Sequence, residues 1–358
     1  MMKKILMVDY YGACDKEGRA TGHSPKVAKE YREFFSEEDQ VDIAASPCIA
    51  EAVKTAGFQN IYKLPYDIFF TDYNKLLKRI LDKFKILFNI YQVFRITGYD
   101  IIWFYRTDFF FFLYMIFAGK AKPKRICLVY QMGGGKGIVE KIIGWVYNKG
   151  VRKFDGVIYT QEKMQIPAER KFYMPDYLYE KIKYDQYVPL HKEKKAVCLG
   201  TMSPYKKLEE LVDVFNECGY SLEITGYFFD KERAIRLRKK AKENISIEDC
   251  ILNEEDYYKK LGSASYAILP YDMEQYKNRT SGILLECAFL GVVPVAPDSL
   301  LKANSLPGIG YTSIHEISAI ISSDIDLRKI YDDQKRVRFN FDAHHIRDEF
   351  NKWLDLLQ

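Results

Sequence analysis

The sequence predicts an α/β protein with two doubly wound domains, each built from parallel strands that alternate with helices. Three observations carry this prediction. Short apolar runs of strand length alternate with longer helical segments in the first half of the chain, and the alternation begins again near Lys195. A chain of 358 residues is too long for one ordinary hydrophobic core. Its 48% hydrophobic and 29% charged residues are typical of a folded globular protein.

The first half opens with a strand–helix–strand unit. Residues 5–9 form a compact apolar strand, and a polar loop with three glycines follows it. A helix is predicted over 25–35, because Ser24 can cap it and Pro25 suits the first helical position. The next strand is predicted at 41–45. Since the loop lacks the GxGxxG spacing, the dinucleotide-binding fingerprint is missing.

The remaining elements continue the alternation in both halves. The first half is predicted to contain a long basic helix at 73–95, strands at 100–105, 125–130 and 157–160, and an apolar helix at 109–118. The second half is predicted to contain strands at 196–200, 221–225, 247–252, 266–270 and 292–296, and helices at 207–217, 231–242, 254–261 and 342–356. Two such runs imply two sheets that face one another across a cleft.

An irregular, aromatic segment at 173–187 separates the two halves. The predicted domains are therefore 1–187 and 188–340, with a final helix in 341–358 that is expected to return to the first domain. Residues 1–9 have the pattern of a strand and not of a signal peptide. No apolar run reaches the roughly 18–20 residues that a membrane-spanning helix needs.

Cysteine and histidine usage bears on compartment and metal binding. The seven cysteines are scattered and never form a CxxC pair, which favours a reducing compartment and argues against a disulfide framework or a zinc knuckle. No HxxxH or HExxH spacing supports a metal site. We therefore expect a cytoplasmic protein without a metal ion.

The stretch from 276 to 296, YKNRTSGILLECAFLGVVPVA, is the strongest candidate for a binding site. It has the pattern of a loop, a helix that begins with small residues, a stop at Gly291 and a buried strand. Exposed amides at Ser281 and Gly282, together with the positive end of the helix dipole, can bind a phosphate. Glu286 lies inside this helix and could face the group attached to that phosphate.

Three segments, taken in order, resemble a known family. AVCLGTMSPYKK at 196–207, YAILPY at 266–271 and TSGILLECAFLGVVPVA at 280–296 resemble the C-terminal domain of GT-B fold glycosyltransferases of the family-4 type (glycosyl transferases group 1). The resemblance covers roughly residues 195–300, and the first half matches in architecture only. It implies two Rossmann-like domains and a nucleotide-sugar donor.

The resemblance also implies roles for individual residues. Glu286 would accept hydrogen bonds from the donor ribose, which suits a group that only accepts. Lys206 would stabilise the charge that grows on the leaving nucleoside diphosphate. The donor-binding residues that it implies are Gly200, Thr201, Lys207, Thr280, Ser281, Gly282, Ile283 and Glu286.

The chain departs from the family pattern at two positions. Asn278 stands where the family has a carboxylate beside the transferred sugar, and Thr201 stands where it has an arginine. Arg279, next to Asn278, could supply the missing positive charge. Lys206, Arg279 and Asn278 are therefore the candidate catalytic residues. In the first half, Gly22 and His23 are candidates for the acceptor or cleft side.

Residues 68–125 carry eleven Lys and Arg against four Asp, interleaved with many aromatic residues. Such a mixture suits contact with an anionic membrane surface. The alternative is a solvated helix face over an ordinary core helix. A nucleic-acid partner is disfavoured, because the basic and aromatic residues lie on helices with long apolar faces and no recognisable nucleic-acid-binding motif.

Together these features predict a metal-independent, cofactor-free glycosyltransferase. It would move a sugar from a UDP- or GDP-sugar to a saccharide or lipid-linked glycan in cell-surface polysaccharide synthesis, with retained configuration as the family implies. It would lie in the cytoplasm, peripherally at the inner face of the cell membrane. Two alternatives stay open: a nucleotide-sugar epimerase of the same fold, or a catalytically degenerate subunit that binds a partner transferase.

Overall fold

The computed structural model describes residues 2–14, 18, 20, 24–69, 76–118, 123–129, 137–160, 164–175, 177–274 and 281–357. The chain forms two compact units. The first comprises Met1–Pro175 together with His344–Gln358, and the second comprises Asp176–Ala343. The domain limits inferred from the sequence, at 187/188 and 340/341, stay predictions.

The first unit is organised around a parallel sheet, with seven strands among the described residues. The strands of this unit are β1 (Lys4–Asp9), β2 (Ala13–Cys14), β3 (Gln40–Ala45), β4 (Ile61–Lys63), β5 (Ile68–Phe69), β6 (Ile101–Phe104), β7 (Lys124–Val129), β8 (Gly156–Tyr159) and β9 (Lys171–Tyr173). Its helices are α1 (Ser24–Arg32), α2 (Pro47–Ala52), α3 (Leu76–Val93), α4 (Phe109–Phe117) and α5 (Ile138–Val151). The sheet order is β4-β3-β1-β6-β7-β8-β9, and β2 pairs with β5 in a separate two-stranded sheet.

The second unit contains a parallel sheet with the order β12-β11-β10-β13-β14-β15. Its strands are β10 (Glu193–Leu199), β11 (Ser221–Gly226), β12 (Ile245–Asp249), β13 (Ala264–Ile268), β14 (Val293–Pro297) and β15 (Ile309–Tyr311). Its helices are α6 (Lys181–Tyr184), α7 (Leu208–Cys218), α8 (Lys231–Lys240), α9 (Glu254–Ser263), α10 (Gly282–Leu290), α11 (Asp298–Asn304), α12 (Glu316–Ser322) and α13 (Arg328–Asn340).

The last helix, α14 (Ala343–Asp355), returns to the first unit. The ring of Phe350 lies 5.2 Å from that of Phe34 and 5.3 Å from that of Trp103, measured between centroids. Trp353 packs so closely against β8 that a Cβ added to Gly156 would lie 2.7 Å from its ring. The C-terminal helix therefore completes the hydrophobic core of the first unit, as the sequence predicted.

The predicted α/β class with two doubly wound parallel sheets is confirmed. The central strands are apolar on both faces because helices cover both faces, and five of the six residues of β1 are buried. The three-residue strands β4, β9 and β15 are too short to leave a periodic signal, and α5 was missed. No described helix combines the length and the apolar character that crossing a membrane needs.

Candidate functional site

The carboxyl edge of the second sheet carries the candidate donor site. The strand order reverses between β10 and β13, which are parallel neighbours, and ligands of open α/β sheets bind beyond the strand ends at such a point. One buried hydrophobic cluster holds Leu199 at the end of β10, Leu269 after β13 and Leu284 in the first turn of α10. The fold thus brings the loop after β10 and the beginning of α10 together.

Gly200 begins the loop that carries the predicted cations. Its φ of 93° is one that residues with side chains rarely adopt. A Cβ added to Gly226 would lie 1.6 Å from the Gly200 carbonyl oxygen, so the loops after β10 and β11 touch backbone to backbone. Thr201 and Lys207 are exposed, and the Lys207 N–H donates to the Pro270 carbonyl at 2.7 Å. The β10 loop is thereby tied to the end of β13.

Lys206 is buried beneath this loop. Its ammonium donates to the Leu199 carbonyl at 2.8 Å and lies 3.9 Å from the Met202 sulfur. It also lies 5.9 Å from the centroid of the Tyr271 ring. Burial lowers the pKa of Lys206, because the charged form is separated from water. The ammonium is therefore held inside the switch point in this structure, and its contact with a diphosphate stays a prediction.

Arg233, from α8, fixes the position of the loop that carries Lys206. Its guanidinium donates to the Ser203 carbonyl at 3.1 Å and to the Lys206 carbonyl at 2.8 Å. It also pairs with Glu209 through contacts of 2.8 and 2.5 Å. The hydrogen bond from Arg233 lowers the pKa of Glu209. Arg233 is thus a positioning residue of the candidate site.

The first turn of α10 packs against an aromatic ring. Ser281 is the N-cap residue and is buried, Gly282 begins the helix, and Ile283 is half-buried. A Cβ added to Gly282 would lie 2.4 Å from the ring of Tyr177. Position 282 therefore needs a glycine, because the Tyr177 ring lies against the beginning of the helix. A phosphate was predicted to bind at this same place.

Glu286 lies one turn further along α10 and is buried. Its carboxylate accepts a hydrogen bond from the Tyr257 hydroxyl at 2.6 Å and a longer one from the Tyr258 hydroxyl at 3.5 Å. Burial raises the pKa of Tyr257 well above its ordinary value, and the Glu286 charge adds to this effect. The tyrosine therefore stays a donor, and α9 fixes the carboxylate. Its predicted contact with a ribose stays a prediction.

Five of the predicted site residues lie outside the described part of the chain. They are Asn278, Arg279 and Thr280 before α10, and Gly22 and His23 before α1. Their predicted roles at the donor phosphates, the sugar and the acceptor stay predictions. The described members of the set are Gly200, Thr201, Lys206, Lys207, Ser281, Gly282, Ile283 and Glu286.

The first unit has a polar cluster at its own switch point, between β1 and β6. Asp9, at the end of β1, is buried and accepts the Tyr11 N–H at 3.1 Å and the Tyr105 hydroxyl at 3.2 Å. Arg106 follows β6, donates to the Ser24 hydroxyl and lies 4.6 Å from the centroid of the Tyr11 ring. Burial by itself would lower the pKa of Arg106, but the charge of Asp9 and nearby tyrosines raises it overall.

Sequence reasoning missed several of these residues. Asp9 and Arg106 could have been found, because Asp9 ends one apolar strand, Arg106 comes shortly after another, and parallel strands end at the same edge. Arg233, Tyr177 and Tyr257 left no such signal. They reach the site from other βα units or from an irregular segment, and only tertiary packing brings them there.

The chain matches no protein-family model, and it matches no curated protein sequence. Among solved structures it is similar to Anabaena HepE in complex with UDP, with a TM-score of 0.66 and 13% identity over 98% of this chain and 99% of that one. It is similar to AviGT4, a glycosyltransferase involved in avilamycin A biosynthesis, with a TM-score of 0.58 and 12% identity over 99% and 98% of the two chains.

A third similar structure is WaaG, a glycosyltransferase involved in lipopolysaccharide biosynthesis. The TM-score is 0.54, with 12% identity over 96% of this chain and 94% of that one. At such identities the likeness shows the fold alone. The chain therefore has two Rossmann-like domains of the GT-B class, and the match extends over nearly the whole of both chains in each case.

Proposed function

We propose that this protein is a glycosyltransferase of the family-4 type. It moves a sugar from a UDP- or GDP-sugar to a saccharide or lipid-linked glycan in cell-surface polysaccharide synthesis. The observation that carries the proposal is the switch point of the second unit. Buried Lys206 contacts the Leu199 carbonyl at the end of β10, buried Glu286 lies on α10, and Leu199 and Leu284 of these two elements share one hydrophobic cluster. Similar solved structures include two glycosyltransferases and a UDP complex.

Catalysis would rest on stabilisation of the leaving nucleoside diphosphate. A buried ammonium acts strongly on developing charge, because the surroundings are poor in water. The first-turn amides of α10 would hold the distal phosphate, and Lys206 would leave the Leu199 carbonyl to contact the diphosphate. Arg279 would add a second charge. No protein nucleophile is invoked, so positioning and leaving-group stabilisation supply the rate enhancement.

Nucleotide binding tests the donor site. In titration calorimetry with UDP, GDP and CMP, we expect heat of binding with UDP or GDP. In a second assay, a panel of UDP-, GDP- and CMP-sugars is incubated with the protein without acceptor, and slow hydrolysis of the donor is expected. Failure to bind any of the nucleotides would reject the transferase. It would favour the degenerate subunit, for which Thr201 and Asn278 are the supporting departures.

The stereochemistry and the metal dependence need separate tests. Proton NMR of the first product formed is expected to show the anomeric configuration of the donor, and inversion would reject the retaining assignment. Turnover is expected to need no added magnesium or manganese. A product that keeps its nucleotide and differs only in sugar configuration would identify the epimerase instead.

We further propose that the first unit rests peripherally on an anionic membrane at the cytoplasmic side. One face of α3 exposes Leu81, Phe84 and Phe88 at helical spacing, and the Phe84 side chain is 65% exposed. The exposed cation Arg95 follows this helix. A helix with exposed aromatic residues and flanking cations suits the lipid headgroup region.

The neighbouring helices extend this apolar surface. α3 and α5 both pack against α4, where Phe117 is 83% exposed. On α5, Ile138 and Trp145 are 79% and 54% exposed, and Lys149 continues the same helix face. Vesicle flotation tests the proposal. The protein is expected to float with vesicles that contain anionic lipid. The double variant Phe84→Ser, Phe88→Ser is expected to lose this binding. Absence of binding at low salt would reject the membrane role.

A further inference from the structure

A cluster of metal-ligating side chains lies in the first unit, apart from the residues used above. One ligand atom each from Cys14, Cys48 and Asp67 lies within 4.8 Å of the other two. Both cysteines are buried, and Asp67 is half-buried. The three residues are far apart in sequence and show no ligand spacing, so no sequence motif indicates the cluster.

Backbone pairing and one hydrogen bond assemble the cluster. Cys14 ends β2, which pairs with β5 so that Cys14 lies opposite Phe69. Asp67 directly precedes β5, and its carboxylate accepts the Cys48 N–H at 2.9 Å in the first turn of α2. The Cys14 sulfur lies 4.0 Å from the Ile68 carbonyl oxygen. Three separate segments of backbone thus aim their side chains at one point.

The donor set selects a particular kind of ion. Two sulfur atoms and one carboxylate oxygen suit Zn²⁺, whereas Mg²⁺ and Ca²⁺ prefer oxygen ligands only. In a tetrahedral site with Zn–S bonds of about 2.3 Å, the sulfur atoms lie roughly 3.8 Å apart. The cluster would therefore contract by about 1 Å or less. The half-buried carboxylate leaves one side open, so that a water molecule can supply a fourth ligand.

We propose that Cys14, Cys48 and Asp67 bind one Zn²⁺ ion. Binding releases the two thiol protons to solvent, because only thiolates ligate zinc. The ion would join β2 and β5 to α2. The inference is independent of the proposed transferase, because it involves none of the donor-binding residues.

Cobalt substitution tests the site in the full-length chain. The reduced protein is freed of metal with a chelator and titrated with Co²⁺, a spectroscopic substitute for Zn²⁺. One equivalent of Co²⁺ is expected to produce an intense thiolate-to-cobalt charge-transfer band in the near ultraviolet. Added Zn²⁺ is expected to displace the Co²⁺ and remove this band. Cys14→Ser and Cys48→Ser are expected to abolish the band, and Asp67→Asn to weaken binding.

Cys218→Ser is the matched control, because Cys218 is a half-buried thiol on α7 in the other unit. Its spectrum is expected to equal that of the unsubstituted protein. The unsubstituted chain decides the matter even if a serine variant fails to fold: absence of the band, or absence of any gain in melting temperature with Zn²⁺, overturns the proposal.

Discussion

Lys206 is a buried cation whose ammonium contacts the Leu199 carbonyl and the Met202 sulfur. Among the residues that the structure describes, no carboxylate forms a salt bridge with it. Lys206→Met keeps much of the volume and removes the charge. Turnover of the nucleotide-sugar is expected to fall roughly 10²- to 10³-fold, the usual loss when one electrostatic contact to developing charge is removed. Lys239→Met, at an exposed position on α8, is the control. If Lys206→Met turned over its substrate as fast as the unsubstituted protein, the predicted role of Lys206 in stabilising the leaving group would be wrong.

Tyr257 donates the shorter of the two tyrosine hydrogen bonds described for the Glu286 carboxylate, at 2.6 Å. Tyr257→Phe leaves a buried carboxylate with a weaker set of donors, which typically costs about 1–3 kcal/mol. The free energy of unfolding in urea is expected to fall by that amount. Tyr258→Phe removes the longer 3.5 Å contact to Glu286 and is expected to cost less. Equal losses in the two variants would show that the hydrogen bond to Glu286 is not the cause.

We expect Lys192 to make the stability of the second unit depend on pH. Its ammonium donates to the Gly262 and Leu290 carbonyls at 2.5 and 2.9 Å, at the ends of α9 and α10. Burial lowers its pKa from 10.5 to about 8. Above pH 8 the folded chain has lost this proton while the unfolded chain still holds it, so the contribution of Lys192 to stability increases with pH until about 10.5.

Lys192→Met removes this titration. The difference in unfolding free energy between the unsubstituted protein and Lys192→Met is therefore expected to shift in favour of lysine as the pH rises from 8 to 10. Urea unfolding of both proteins at several pH values measures it. A difference that stays constant over this range would show that the ammonium is not desolvated in the folded state.

At the residue scale, a sequence motif predicts site roles for Glu286 and Lys206, because their order along the chain follows a recognisable pattern, and these roles stay predictions. The residues that contact them were not predicted. Tyr257 and Arg233 were missed, because a hydrogen bond between distant segments depends on packing that no local pattern encodes.

Helix α10 shows how one element is fitted to its surroundings. It is apolar nearly all round and is buried by neighbours on several sides, so its position was predictable from a continuous apolar run. The aromatic ring at its beginning was not. Tyr177 comes from an irregular segment whose sequence predicts turns, and its contact with Gly282 depends on the path of that segment.

Gly282→Ala tests this contact. The new methyl group would lie 2.4 Å from the Tyr177 ring. Such overpacking typically costs about 1–3 kcal/mol of stability. The melting temperature is expected to fall in Gly282→Ala and to be largely restored when Tyr177→Ala is added. A double-mutant cycle in urea measures the coupling. If the two changes simply add, the ring does not pack against the helix start.

At the scale of the whole molecule, the division into two units was the easiest feature to predict. Strand and helix periodicities repeat in each half, and the physical need to cover both faces of a parallel sheet makes each half a layered α/β unit. The short strands β9 and β15 could not be found in this way, because three residues carry no period. They extend sheets whose central strands already determine the architecture.

Because α14 packs into the core of the first unit, the stability of that unit depends on the C-terminal helix. Phe350 is fully buried among the rings of Phe34, Trp103 and Phe172 in the first unit. Phe350→Ala is expected to lower the free energy of unfolding by about 3–5 kcal/mol, because a large aromatic core residue leaves a cavity. The control is Leu356→Ala, at an exposed position just past α14, where the change is expected to stay within about 0.5 kcal/mol.

Phe350→Ala is expected to destabilise the first unit, although the residue lies near the end of the chain. Hydrogen exchange followed by mass spectrometry distinguishes the two units, since each peptide reports the opening of its own segment. Peptides from β1, β6 and β8 are expected to exchange faster in the variant, while peptides from β10 and β13 keep their protection. Faster exchange confined to the second unit would show that α14 does not complete the first core.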